Sequence, residues 1–178
     1  MKKRMIWLLA AALVLFVGVG ATIAYLVASS GTVQNTFTVG SVTITLTETT
    51  GAEYKILPGA TLMKDPAVTV KGGSDDCWVF VKITPTGNFE QYCTHTLRSE
   101  WTPLPGEPGV YYLSANGSAV DRIYRILHND RITVRETLTE EDLKAITVTP
   151  TLDFTAYAIQ RQGVDTPQAA WQILREEG

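Results

Sequence analysis

Two histidines, His95 and His128, have the widest chemical repertoire in this chain of 178 residues. They stand 33 positions apart, outside the His-Glu-x-x-His spacing that puts two imidazoles on one helix face with a carboxylate as base for a metal-bound water. A zinc protease site of that type is therefore absent, and each histidine reads as a surface or strand-end residue. Asp75-Asp76, after Gly72-Gly73, has the oxygen ligands a calcium ion prefers, yet an ordinary solvated turn has the same composition and is the reading adopted. Glu140-Glu141-Asp142 is explained by favourable negative charge at a helix N-terminus. Neither a Gly-x-Ser-x-Gly elbow nor a phosphate-binding loop occurs. No catalytic residue, metal ligand or cofactor is assigned, and the chain is not read as an enzyme.

Cys77 and Cys93 have the spacing of neither a zinc site nor a redox motif. In an oxidising compartment a pair of this kind is expected to be bridged. The bridge would close a loop of 16 residues and contribute roughly 3 kcal/mol by restricting the unfolded chain. Two reduced core thiols are the alternative, since spacing alone does not bring the Cα atoms within ~7 Å.

The compartment is set by the N-terminus. Residues 6–28 carry no charge, and at 1.5 Å per residue they are long enough to cross a hydrocarbon core of ~30 Å. Lys2, Lys3 and Arg4 precede them, which keeps the short tail cytoplasmic and sends the rest outward. The run is longer than a usual secretory h-region, which favours an anchor. Small residues cluster near its end and no second basic cluster follows, which favours cleavage, after Ala24 or Ala28. Cleavage is the reading adopted, with a retained membrane anchor as the alternative.

Beyond the leader the chain divides into a flexible segment, residues 29–35, and a single domain, residues 36–178, large enough for a substantial core. The exported part keeps twelve basic against eighteen acidic residues, so nucleic acid is not expected as a partner. It is rich in Thr and Val, which favours strands. Residues 36–47 alternate apolar residues with threonine, and Gly40-Ser41 shifts the phase as a bulge or bend would. Further strands are expected over residues 66–71, 77–84, 91–97, 110–113, 120–127, around Ile132 and Val134, and over 146–159 with a kink at Pro150. The stretch 77–84 is the most hydrophobic and belongs mid-sheet. Residues 101–109 hold three prolines, which cannot donate to a ladder, and read as a surface loop. Asn116-Gly117 is a hairpin signal between the strands on either side.

Two short helices are marked by caps. Thr139-Glu-Glu-Asp142 is a capping box, with Leu138 and Leu143 placed to act as a staple, and Thr166-Pro167 sets a cap before proline at the first helical position. About eight strands with little helix fit an all-β, two-sheet antiparallel sandwich of jelly-roll or immunoglobulin-like type, preceded by a hydrophobic N-terminal helix.

Taken together, these stretches resemble the TasA and camelysin (CalY) family of exported proteins of Gram-positive bacteria. The likeness rests on the leader ending Gly20-Ala-Thr-Ile-Ala-Tyr25, on Asn35-Thr-Phe-Thr-Val-Gly40 before an alternating strand, on Leu57-Pro-Gly59, and on Lys64-Asp-Pro66 with Val68. The strand 77–83, Ala156-Tyr-Ala-Ile-Gln160, Gly163 and Ala169-Ala-Trp171 complete it. The resemblance implies a jelly-roll sandwich, a leader cut by a SipW-type signal peptidase, and self-assembly into extracellular fibres of the biofilm matrix. The end of the leader, Tyr25-Leu-Val, and the cysteine pair depart from the family pattern. The metallopeptidase activity attached to camelysin has no histidine motif to support it.

A freed N-terminus of small, β-compatible residues can add as a strand to a neighbour's open sheet edge, with Val33, Phe37 and Val39 as inserted anchors. The rival expectation is a monomeric surface module that binds wall polymer or polysaccharide through Trp101, Tyr111 and Tyr112. Leu57-Pro-Gly-Ala and Leu104-Pro-Gly-Glu lack the Thr-Gly of a wall-sorting signal, and Asn116-Gly-Ser118 reads as a turn rather than a glycosylation site. Either reading places the protein outside the cell or at its surface, in contact with matrix or wall components.

Overall fold

A computed structural model describes residues 38, 39, 41–50 and 56–177. The strands among them are β1 (Thr38–Val39), β2 (Ile44–Thr47), β3 (Thr61–Met63), β4 (Ala67–Val70), β5 (Cys77–Thr86), β6 (Cys93–Leu97), β7 (Thr102–Pro103), β8 (Val110–Ala115), β9 (Arg122–Arg125), β10 (Leu127–Val134) and β11 (Thr151–Gln160). The helices are α1 (Phe89–Tyr92), α2 (Glu140–Lys144) and α3 (Pro167–Glu177). The leader with Ala24 and Ala28, the segment 29–35, and the candidate anchors Val33 and Phe37 lie outside the described residues. Among the described residues no helix is long and apolar enough to cross a membrane.

The all-β expectation holds, and the pairing is mostly antiparallel. One sheet has the order β1-β11-β5-β8-β7; two smaller ones run β3-β10-β6 and β2-β4-β9. Strict alternation in β5 turns Cys77, Val79, Val81 and Ile83 to one side and Trp78, Phe80 and Lys82 to the other. On the first side they meet Leu152, Phe154, Ala156 and Ala158 of β11 together with Ile44, Leu46, Val68, Val70, Ile132 and Val134 of the small sheets, in one buried cluster. Each fully buried aliphatic side chain there contributes about 1.5–3 kcal/mol. On the second side α3 lays Ala170, Trp171 and Leu174 over Phe80, Val110 and Ile159, which builds a smaller core.

β5 sits third of five strands, mid-sheet as its composition requires. The first strand is not continuous, and of a bulge or a bend the structure has a bend, at Ser41. Thr38–Val39 pairs with β11, whereas Ile44–Thr47 pairs with β4 in a different sheet, so the phase shift marks a change of layer. The hairpin at Asn116-Gly117 does not form: β8 pairs with β5 and β7, and β9 pairs with β4. A two-residue type I′ turn needs both central residues at positive φ, and neither is among the positive-φ residues. The Gly117 N–H instead donates to Asp76 Oδ1 at 2.7 Å.

Proline explains two further boundaries. Pro150 precedes β11 and ends the irregular stretch before it, rather than kinking a longer strand. Pro103 sits in β7, a two-residue strand at the sheet edge, where a missing N–H is tolerated. The capping box forms as expected, with Thr139 Oγ1 accepting from the Asp142 N–H and the Thr139 N–H donating to Asp142. Pro167 opens α3, and Thr166 Oγ1 accepts from the Ala169 N–H at 3.3 Å.

Candidate functional site

The rim of the five-stranded sheet carries the feature with the clearest capacity for interaction. β11 is paired with β5 along all ten of its residues, from Thr151 opposite Thr86 to Gln160 opposite Cys77. On its other side it receives β1 alone, a parallel strand with Thr38 opposite Ala158 and Val39 opposite Ile159. Residues 151–156 of β11 have no ladder partner on that side among the described residues. Alternate residues of an unpartnered edge present N–H and C=O groups outward, a template for another extended chain. The inward side chains there grow smaller along the strand, from Leu152 and Phe154 to Ala156 and Ala158, each 5% exposed or less. The small residues allow β2 of the facing layer to lie close to β11.

Just after β2, a buried clasp ties the chain to the start of β4. Lys64 Nζ donates to both carboxylate oxygens of Glu48, at 2.9 and 3.1 Å. The side chains are only 2% and 9% exposed, and the ammonium lies 5.4 Å from the centre of the Phe154 ring. Beside it, Asp65 accepts from the Thr49 N–H at 2.8 Å and from the N–H and hydroxyl of Thr50, each at 2.9 Å, and also from the Thr49 hydroxyl. Partial burial works to raise the Asp65 pKa, but the Thr49 hydroxyl, the two backbone N–H groups and the Thr50 hydroxyl outweigh it and bring it from 3.8 to about 2. The motif Lys64-Asp-Pro66 thus ties the segment after β2 to the start of β4. Its partner Glu48 carried no signal in the sequence, because the contact joins residues 16 positions apart through a loop.

The remaining candidates are placed as follows. Cys77 and Cys93 are both free and buried, so of the two readings the reduced core thiols are the one the structure carries, and no bridge joins them. Cys77 opens β5, Cys93 follows its far end, and a strand of ten residues spans ~30 Å. Burial raises both thiols to about 11, helped at Cys77 by the charge of Asp76 and opposed by Arg161, and opposed at Cys93 by Arg135. His95 lies within β6 opposite Ile132, its ring 5.9 Å from that of Phe89; burial lowers its pKa and Glu90 opposes this. His128 is exposed on β10.

Asp75 accepts from the Gln160 amide at 3.1 Å and Asp76 from Arg161 at 2.9 Å, so the acidic pair ties the end of β11 to the turn before β5. Among the described residues no group of three His, Cys, Asp or Glu side chains could hold a metal ion. Trp101 is not an exposed aromatic. It is 4% exposed, and its indole N–H donates to the Arg125 carbonyl at 2.9 Å. Tyr111 and Tyr112 are half-buried. Val39 lies in β1, on the rim already described.

Comparison with known proteins gives no match to a family model, to a curated protein or to a solved structure.

Proposed function

We propose that this chain is an exported structural subunit with a jelly-roll sandwich, released by a SipW-type signal peptidase and assembling into extracellular fibres through its freed N-terminal strand. The observation that carries the reading is the rim of the large sheet, where β1 pairs in parallel with Ala158 and Ile159 of β11 and, among the described residues, positions 151–156 have no ladder partner on that side. Strand addition at such an edge draws affinity from main-chain hydrogen bonds, each worth about 0.5–1.5 kcal/mol net, and register from alternate side chains. The small, β-compatible residues of the N-terminus have the composition for it. The alternative, a wall-polymer module built on surface aromatics, is weakened by the burial of Trp101.

Two measurements test the reading. N-terminal sequencing of the exported protein should give a chain that begins at Tyr25 or Ser29, whereas an intact Met1 would contradict release. A synthetic peptide of residues 29–39, added to growing filaments, should stop elongation by occupying the acceptor edge. Elongation at an unchanged rate under saturating peptide would contradict strand addition.

A further inference from the structure

Asn116 and Gly117 connect β8 to β9 without making a hairpin turn, and glycine stands at 117 for reasons of space. A Cβ there would come within 3.0 Å of the Ser74 carbonyl oxygen, while the φ of Gly117 is not among the positive ones. Two contacts draw this segment against the loop before β5: the Gly73 N–H donates to the Ser118 carbonyl at 2.8 Å, and the Gly117 N–H to Asp76 Oδ1 at 2.7 Å. Such close packing needs a residue without a side chain. The same lack leaves the Gly117 nitrogen unshielded from the side chain that precedes it. Asn116 is exposed, and among the described residues its amide makes no hydrogen bond.

We infer that Asn116 is a site of spontaneous conversion to aspartate and isoaspartate, and that Asp76 holds the rate down through its grip on the Gly117 N–H. The Gly117 nitrogen gives up its proton and bonds to Asn116 Cγ, closing a five-membered ring; the Cγ–Nδ2 bond breaks and ammonia leaves, carrying a proton. Water then opens the cyclic imide. Breaking the new bond to Cγ leaves aspartate, whereas breaking the bond to the main-chain carbonyl carbon leaves isoaspartate, with the backbone rerouted through the former side chain. Asp76 opposes the first step in two ways. A hydrogen bond to an ionised acceptor is roughly twice as strong as a neutral one, and it is lost as the nitrogen gives up its proton. The carboxylate also disfavours negative charge developing beside it. Arg161 fixes Asp76 in that position by donating to Oδ2 at 2.9 Å. Asn88 and Asn129 are exposed too, but Phe89 and Asp130 follow them, and those side chains crowd the attacking nitrogen.

The test holds the full chain in a non-ionic detergent at 37 °C and pH 7.4 for eight weeks and maps it by tryptic mass spectrometry. Trypsin releases residues 99–122 as one peptide in which Asn116 is the single asparagine. Conversion reads there as a gain of about one dalton, in two products separable by chromatography. Asn116 should convert faster than Asn88 and Asn129 in the native chain, and at least fivefold more slowly than in the isolated peptide 99–122. Asp76→Ala should raise the rate in the folded chain at least threefold; the side chain is 51% exposed, so the fold is kept. Arg161→Gln, which removes the other partner of Asp76 and leaves the Gly117 contact, should stay within twofold of the native rate. Conversion no faster than at Asn88 and Asn129 would overturn the site. A native rate equal to that of the peptide, a rate unchanged or lowered by Asp76→Ala, or equal acceleration by Arg161→Gln would overturn the role of Asp76.

Discussion

Lys64 is the residue whose replacement should matter most. Removing one partner of a buried ion pair leaves the other charge without compensation, at a cost of about 3–5 kcal/mol, whereas removing both can be close to neutral. Lys64→Met should therefore be strongly destabilising, and the double variant Lys64→Met with Glu48→Met should recover most of the loss in denaturant titrations. Asp65 beside it makes stability depend on acid. Its folded-state pKa of about 2 lies below its ordinary 3.8, so the contribution is present above pH ~4 and is lost as the pH falls toward 2. Asp65→Asn should be less stable at neutral pH and should lack that part of the acid-induced decline in thermal melts. The cysteines give a third check. With both thiols buried and raised to about 11, the native chain should resist a thiol reagent at pH 8 and take up two equivalents once denatured. Rapid labelling of the native state, or an intact mass two daltons below that of the reduced chain, would contradict the free, buried state.

At the scale of elements, what was legible in the sequence followed local physics. The capping box at Thr139 and the Thr166-Pro167 start both form, because their partners lie within one helical turn. Thr139→Ala should cost about 0.5–2 kcal/mol of stability, read as a lower melting temperature. The alternation in β5 was legible for the same reason, since each residue's facing is set by its neighbours. The hairpin at Asn116-Gly117 was misread because strand partners are chosen across the whole chain. β8 finds β5 and β7, β9 finds β4, and Gly117 is taken by Asp76 from a turn 41 residues earlier. Trp101 was misplaced by a similar argument. Proline-rich surroundings mark a loop, but they do not report that one of its side chains reaches the core and the Arg125 carbonyl. The clasp of Glu48 with Lys64 was invisible for want of any local pattern linking them.

For the whole molecule, the order of the sheets matters more than any single contact. The first described strand lies parallel on the rim of the largest sheet, and among the described residues positions 151–156 of that rim have no ladder partner on the same side. Among the described residues the buried cluster begins at Val42, so the proposed strand addition predicts that removing the residues before β1 affects assembly more than folding. Electron microscopy of the chain starting at residue 29, beside the same chain starting at residue 38, tests this most directly. The longer chain should grow filaments, and the shorter should remain a folded monomer with an unchanged far-ultraviolet circular dichroism spectrum. Filaments of equal abundance from both would contradict the account.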